Sequence, residues 1–497
     1  MNKKRVSVIL ALSLVAGVAA LPGCGKKEAA EKPTLKILTT YSNEDLNTTE
    51  VAQLLEEKTG YKVQYDMLPQ KNTYDKLNLI LSGGDDYDIV AMGNNKTVFA
   101  NYAKSSALTE LDTLLDKYGS NLRSKISQES YNMLKVDGKQ YGIPNTSGVA
   151  VSNSIAVRKD WLDKLGLKVP ETIDEFTNML KEFKEKDPGG NGQKNVPFVI
   201  PSTGVFSPNL QGSFGLATDW NDIDGKLVPN LERPEMVKYL EYMRSLYQKG
   251  YLDPEFVALN NTTAEEKFSS GTAGAIVLSC FKFNTIDDTL KKVCPDAEIV
   301  YLPLLKGEGG VSGIQSNATN LDKIVFVPKI SKHPEDAVKW MDKKLDDDLF
   351  REFTIGSEGV HYEIKDGSYY PILPIFFDER NISSMYLTGI DEKKYPEYWQ
   401  ARIRKDERIY KGWDYLNHDS SYADNMKTPV LADAPYIDGY DDVIQKLSSD
   451  NSDFVVKTIA GSGDIEQALS DYVNTWKANG GEKMTEAVNK WYAENKK

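Results

Sequence analysis

Cysteine and histidine are scarce in this sequence, which limits the metal and redox chemistry open to the protein. Its 497 residues include three cysteines and three histidines. His333, His361 and His418 lie far apart in the sequence, and there is no Cys-x-x-Cys pair. Zinc sites and Ser-His-Asp triads need such side chains in characteristic groupings. The sequence therefore predicts no cofactor and gives no support for a zinc or redox enzyme.

Positive charge is also in deficit. The chain has 60 Lys and Arg against 73 Asp and Glu, a net charge of −13. A negative field of this size repels phosphate backbones, so we expect no nucleic-acid partner. The length and the 40% apolar composition predict an ordinary globular protein with two or three compact units.

Long apolar runs are confined to the N-terminus. Lys3-Lys4-Arg5 precede an apolar run from Val6 to Ala20, a pattern typical of a secretory signal peptide and shorter than a membrane span. The following Leu21-Pro22-Gly23-Cys24 resembles the lipobox of bacterial lipoproteins, although Pro22 departs from the small residues usual there. By this resemblance residues 1–23 are removed and Cys24 carries the lipid anchor, with 24–32 as a flexible tether. An ordinary signal peptide cut near Ala20 is the alternative.

The remaining cysteines, Cys280 and Cys294, leave two interpretations open. An exported protein can oxidise them, and their spacing of 14 residues permits a loop-closing disulfide. Two free, buried thiols are the other interpretation, which we favour slightly.

The first part of the sequence after the tether alternates between strand and helix patterns. Apolar strands are predicted at 35–40, 62–68 and 87–92, with amphipathic helices between them. This order indicates right-handed crossovers and a largely parallel sheet. Ligands bind beyond the carboxyl ends of the strands in such sheets, which directs attention to 39–43 and 93–96.

The stretch from Tyr141 to Phe176 leads from this unit into a second one. A strand is followed by a short helix that Gly166 ends, and Thr172 with Glu175 predicts the capped start of another helix. The second unit has further helix patterns at 173–186 and 234–250, strand patterns that end with 324–330, and a helical, aromatic C-terminal part.

Three stretches resemble the family 1 extracellular solute-binding proteins of ABC importers: Arg158–Phe176, Gly356–Tyr362 and Tyr472–Trp476. They are similar to the subgroup that includes alginate-oligosaccharide binders and LipO-like lipoproteins. The resemblance implies the α/β, two-lobed type 2 periplasmic-binding-protein fold, each lobe a mixed sheet flanked by helices, with discontinuous lobes joined by a hinge. Mapped onto this chain, lobe one is 33–145 plus 322–395, and lobe two is 146–321 plus 396–497.

The resemblance also implies a function. It predicts a monomeric, lipid-anchored protein on the extracellular face of the bacterial cytoplasmic membrane, which captures a carbohydrate, with an oligosaccharide favoured, and delivers it to the permease. It predicts that the protein is not an enzyme. A binder of a non-sugar ligand such as a peptide is one alternative. A surface enzyme that degrades polysaccharide is another, although no short motif marks its carboxylate pair.

Sugars are bound by aromatic faces and by planar amides and carboxylates. Candidate ligand-binding residues therefore have these side chains at strand exits, at the lobe crossings, or in polar or aromatic-rich segments such as 218–222, where burial does not readily explain a tryptophan. They are Tyr41, Asn43, Asn94, Asn145, Trp220, Phe281, Tyr362 and Trp413.

A loop at 187–195 resembles the calcium loop of the alginate binders in degraded form. Asp187 and Asn191 keep oxygen ligands, but Asn195 replaces a carboxylate and Gly189 replaces another ligand. Calcium favours six to eight oxygens, several of them charged. We therefore expect a tight surface turn and no metal site.

Overall fold

The strand–helix alternation predicted for the first part of the chain is present. A computed structural model describes residues 31–206, 208–317 and 321–496. The predicted signal peptide, Cys24 and nearly all of the tether lie outside these residues. Chain contacts make Pro33–Lys497 one unit. Among the described residues, no helix has the length and apolar character needed to cross a membrane.

The strands, in chain order, are β1 (Leu35–Thr39), β2 (Val63–Met67), β3 (Ile89–Gly93), β4 (Lys135–Val136), β5 (Lys139–Gln140), β6 (Gly142–Thr146), β7 (Asn153–Arg158), β8 (Val196–Val199), β9 (Trp220–Ile223), β10 (Lys226–Pro229), β11 (Ala273–Ser279), β12 (Ile299–Tyr301), β13 (Ile314–Gln315), β14 (Leu321–Phe326), β15 (Tyr362–Lys365), β16 (Ser368–Pro371) and β17 (Met426–Lys427).

The α-helices are α1 (Glu50–Thr59), α2 (Thr73–Gly83), α3 (Lys96–Lys104), α4 (Asp112–Tyr118), α5 (Ser120–Lys125), α6 (Gln128–Asn132), α7 (Lys159–Leu165), α8 (Ile173–Lys186), α9 (Pro208–Gln211), α10 (Glu235–Gln248), α11 (Asn261–Ser269), α12 (Phe283–Val293), α13 (Pro334–Lys343), α14 (Asp347–Ile355), α15 (Ile375–Arg380), α16 (Tyr395–Ile403), α17 (Glu407–His418), α18 (Ser420–Ala423), α19 (Ile444–Ala460), α20 (Ile465–Trp476) and α21 (Glu482–Asn495).

The first lobe is built around a five-stranded sheet in the order β2-β1-β3-β14-β6. Strands β1, β2 and β3 pair in parallel, whereas β14 is antiparallel to both β3 and β6. A strand from late in the sequence therefore lies in the middle of an N-terminal sheet, which makes this lobe discontinuous in sequence.

The second lobe is built around a four-stranded sheet in the order β12-β7-β11-β8. Strand β7 is antiparallel to β11 and β12, and β11 is parallel to β8. Helices α19, α20 and α21 complete its largest apolar core. Both sheets are mixed and flanked by helices, as expected for the two-lobed fold.

The predicted junction between the units folds as its local sequence indicates. Gly166 ends α7 in the left-handed conformation, and the Thr172 hydroxyl and the Glu175 carboxylate form a reciprocal capping box at the start of α8. The ring of Trp161 packs edge to face on Phe183, 5.2 Å between centroids, over Gly274. A Cβ at residue 274 would lie 2.5–2.8 Å from these rings, so the close packing of α7 and α8 on β11 requires glycine there.

Several predicted boundaries differ from the observed ones. Helix α1 is capped by Thr49, because the Asn47 side chain instead binds both backbone polar groups of Tyr65 on β2. The strand predicted at 324–330 begins three residues earlier and ends at Phe326.

Of the two interpretations of the cysteines, the structure has free thiols. Cys280 is buried and Cys294 is partly exposed.

Candidate ligand-binding site at the junction of the lobes

The strand directions bring polar loops of both lobes to one place. In the first sheet the carboxyl ends of β1, β3 and β6 lie on the same edge, where β14 begins. In the second sheet β8 and β11 end on the edge where β7 begins. Because residues 147–152 join the end of β6 directly to the start of β7, the two edges meet at this crossing. Ligands of α/β folds bind beyond such edges.

A cavity of about 320 Å³ lies at this junction, and we call it the hinge pocket. It is bordered by two places where the chain passes between the lobes, at 147–152 and at Asn317, and by α16, which precedes the third. Its walls combine first-lobe and second-lobe side chains with aromatic, amide and charged groups. The lining residues that carry the argument are Asn145, Ser152, Phe281, Asp322, Trp399 and Arg402.

Aromatic rings form one wall of the hinge pocket. Phe281, directly after β11, remains 38% exposed and packs edge to face on Trp399 of α16, with 5.6 Å between ring centroids. Trp413 of α17 packs behind Trp399 at 5.8 Å. The buried Trp413 fixes the orientation of the Trp399 ring, so an aromatic surface is held in place before any ligand arrives.

A first-lobe turn that contributes Ser384 and Leu387 to the lining is held by three cations. Arg402 donates to the Ser383 hydroxyl, at 2.8 Å, and to the Asn381 carbonyl, and Lys323 donates to the Ser384 carbonyl at 2.9 Å. Lys344 donates to the Tyr386 carbonyl at 2.5 Å. Burial lowers the pKa of each of these three cations. These hydrogen bonds fix the position of the turn beside the hinge pocket.

Asn145 supplies an unused acceptor. Its side chain is 2% exposed, and its Nδ2 donates to the Leu387 carbonyl at 3.2 Å. Within the described part of the chain, its Oδ1 has no hydrogen-bond partner. A buried carbonyl oxygen without a donor is costly to leave empty, and a ligand hydroxyl in the hinge pocket would satisfy it.

Of the predicted site residues, the structure brings Asn145 and Phe281 together in the hinge pocket. Tyr41 is 45% exposed at the first-lobe edge, where its hydroxyl donates to Asn43 Oδ1 at 2.7 Å. Asn94 is exposed on the same edge, between β3 and α3. These three lie on the expected edge but outside the pocket lining.

Three predicted aromatic residues are buried. Tyr362 packs on Tyr369 in the first-lobe core, 5.3 Å between centroids, away from the hinge pocket. Trp413 touches the site through Trp399. Trp220 is only 5% exposed, because Tyr440 and the second-lobe core cover it, so burial does explain this tryptophan. It borders a separate cavity within the second lobe.

The sequence analysis missed several lining residues. Trp399 belongs to the aromatic run Tyr395-Pro396-Glu397-Tyr398-Trp399, which precedes the third crossing. This run is the sequence signal that could have identified Trp399 as a candidate. Ser152 and Asp322 flank the other two crossings but are small or common polar residues with no distinguishing pattern.

The degraded calcium loop closes on itself. Both carboxylate oxygens of Asp187 accept backbone N–H groups, from Asn191 at 2.9 Å and Gly192 at 2.7 Å. Asn191 and Asn195 turn their amide nitrogens to the carbonyls of Gly271 and Phe183. Among the described residues no cluster of three His, Cys, Asp or Glu side chains is placed to hold a metal ion.

The lobes also touch away from the crossings. Residues 428–443, here called the bridging segment, leave the second lobe and contact α3 of the first. Lys96 Nζ donates to the Ala434 carbonyl and the Thr97 hydroxyl to the Asp441 carbonyl, each at 2.8 Å. Lys104 pairs with Asp438. A larger cavity of about 670 Å³ lies beside this segment and α21, and residues between 129 and 138 line it on the first-lobe side.

Comparison with known proteins agrees with this architecture. The family model of the bacterial extracellular solute-binding protein matches residues 43–343. The lipoprotein LipO of Bacillus subtilis is 25% identical over 100% of this chain and 99% of its own length. The polygalacturonan/rhamnogalacturonan-binding protein YtcQ of the same organism is 27% identical over 73% of this chain and 74% of its own.

Solved structures show the same fold. The alginate-binding protein AlgQ2, crystallised without calcium ion, superposes with a TM-score of 0.72 at 20% identity, over 93% of this chain and 98% of that one. The S. pneumoniae ABC-transporter substrate-binding protein FusA, in complex with kestose, superposes with a TM-score of 0.70 at 21% identity, over 93% and 99%. This chain belongs to the bacterial extracellular solute-binding protein family and has its two-lobed fold.

Proposed function

We propose that this protein is the lipid-anchored, extracellular solute-binding component of an ABC importer, that it captures an oligosaccharide between its lobes, and that it delivers the sugar to the permease without turnover. The observation that carries the proposal is that the aromatic pair Phe281–Trp399 and Asn145, with its unused amide oxygen, line the same hinge pocket. Aromatic faces stack on sugar C–H surfaces, and the amide accepts a hydroxyl.

The lobe boundaries belong to the same proposal. We assign 33–145 plus 322–395 to lobe one and 146–321 plus 396–497 to lobe two, with a monomer as the functional state. The strand membership of the two sheets supports this division, because β14 pairs with β3 and β6, and β7 pairs with β11 and β12. Closure of the lobes on the hinge pocket would sequester the sugar.

Tryptophan fluorescence tests the ligand class, because Trp399 lines the hinge pocket. The full chain, in mild detergent, is titrated with kestose, nystose, N,N′-diacetylchitobiose, trigalacturonate and a peptide pool. We expect saturable quenching by an oligosaccharide that is recovered intact by chromatography. A response to peptides alone would overturn the carbohydrate assignment, and cleavage of the sugar would overturn the assignment as a binder.

The anchor is tested separately. We expect the full chain to sediment with membranes when it is produced in a Gram-positive host, and Cys24→Ser to be released into the medium. Release of the unaltered chain to the same extent would contradict lipid anchoring through Cys24.

A further inference from the structure

The second lobe contains its own cavity, of about 250 Å³, which the hinge pocket does not include. We call it the second-lobe cavity. Aromatic side chains form its sides: Trp220 at the start of β9, Trp476 at the end of α20, and Tyr440 from the bridging segment. Trp220 and Tyr440 meet edge to face, with 6.3 Å between ring centroids. The volume is below the range of about 300–1,000 Å³ that holds drug-sized ligands, so the cavity suits a small unit such as one sugar ring.

Two polar groups at this cavity are open to a ligand. Trp476 is 1% exposed, and in the described ranges its indole Nε1–H has no hydrogen-bond acceptor. Asp219 lines the same cavity and is an exposed residue, so its carboxylate can accept hydrogen bonds from a ligand. A buried indole N–H normally has an acceptor in folded proteins. An unpartnered N–H and an exposed carboxylate at one cavity point to a polar ligand.

The chemistry of these groups selects the ligand. Aromatic faces favour the C–H surface of a pyranose or furanose ring, a carboxylate accepts hydrogen bonds from hydroxyl groups, and an indole N–H donates to a hydroxyl or ring oxygen. A ring that carries its own carboxylate, such as a uronate, would be placed beside the negative charge of Asp219 and repelled.

We infer that the second-lobe cavity binds one ring of a neutral saccharide, with Asp219 as the residue that discriminates neutral from acidic sugars. This inference rests on the proposed function, since it names the class of oligosaccharide that the protein captures. The hinge pocket binds one part of the oligosaccharide, and the second-lobe cavity accepts a further sugar ring without any contribution from first-lobe side chains.

The test is isothermal titration calorimetry of the full chain with kestose, nystose, N,N′-diacetylchitobiose and trigalacturonate. The variant Asp219→Asn removes the charge at nearly constant size, and Asp219→Ser removes it with a smaller side chain. Asp222→Asn is the matched control, because Asp222 lies on the same β9 hairpin but binds Tyr492 and Lys496 outside the cavity. We expect both Asp219 variants to bind the best neutral sugar about tenfold more weakly than the control, and Asp219→Asn to bind trigalacturonate more tightly than the unaltered chain.

The outcomes separate the two proposals. If the Asp219 variants bind every sugar like the control, while Phe281→Ala weakens binding, the cavity inference is wrong and the proposed function stands. If the unaltered chain prefers trigalacturonate to all neutral sugars, the inference is also wrong. If none of the four sugars binds the unaltered chain, both fall.

Discussion

The hinge pocket and the second-lobe cavity are assembled in different ways. The hinge pocket takes side chains from both lobes and lies beside the crossings, so its shape depends on the angle between the lobes. The second-lobe cavity lies within one lobe, and only Tyr440 belongs to a segment that touches the other lobe. The shape of the hinge pocket therefore changes with lobe closure, whereas the second-lobe cavity does not need closure to form. A ligand that occupied both would link lobe closure to the length of the oligosaccharide and to the type of sugar.

The largest expected effect is at the hinge pocket. Phe281→Ala removes the partly exposed ring that packs on Trp399. It weakens the binding of every saccharide by up to about tenfold, since an aromatic contact contributes about 0.5–1.5 kcal/mol beyond the area it buries. Fluorescence titration measures the change, because all tryptophans remain. Phe377→Ala, a 51% exposed phenylalanine on α15, is the control and leaves binding unchanged. Equal losses of saccharide affinity in the two variants would contradict binding at the hinge pocket.

The β9 hairpin predicts a small effect on stability. Asp219 is exposed, so solvent screens its charge, and Asp219→Asn leaves Tm at pH 7 within about 1 °C of the unaltered chain. Hydrogen bonds from Tyr492 and Lys496 lower the pKa of Asp222, so Asp222→Asn lowers Tm at pH 7, and this loss shrinks as the pH falls through the lowered pKa. Calorimetric scans measure both variants, and an unchanged Tm for Asp222→Asn would contradict a stabilising carboxylate.

The bridging segment predicts a smaller effect. Lys104 pairs with Asp438 across the lobes and lies over the Tyr436 ring at 4.2 Å. Exposed ion pairs contribute about 0–1 kcal/mol, so Asp438→Asn weakens sugar binding about two- to threefold by favouring an open arrangement. Glu110→Gln, which breaks the exposed Lys139–Glu110 pair inside the first lobe, leaves affinity unchanged. An unchanged affinity for Asp438→Asn would show that the segment plays no part in closure.

The smallest expected effect concerns the two thiols. Burial raises the pKa of Cys280 to about 12, whereas Cys294 is partly exposed. Iodoacetamide should alkylate Cys294 and spare Cys280 in the native protein, with sugar affinity unchanged, and both should react after denaturation without reductant. Mass spectrometry of peptides reads the result. Protection of both cysteines after denaturation would indicate a disulfide.

Local sequence was sufficient where the determinants are close together in the chain. The capping box of Thr172 and Glu175 and the glycine end at Gly166 are formed as predicted, because each involves groups within a few residues. Burial was harder to predict. Trp220 lies in a polar loop, yet residues as distant as Tyr440 cover it, so its burial depends on contacts that no local pattern contains.

The sequence by itself determined the α/β alternation, the acidic character and, through the resemblance, the two-lobed solute-binding architecture. It also placed Asn145 and Phe281 among the candidates, because residues after strands gather at the carboxyl edge of a sheet. Only the tertiary structure decided that Trp399 completes the aromatic wall, that Tyr362 belongs to a core, and that Asp219 borders a cavity with Trp476. Phe281 and Trp399, like Asp219 and Trp476, are separated by more than a hundred residues. Such proximity depends on how the elements pack rather than on periodicity or local propensity.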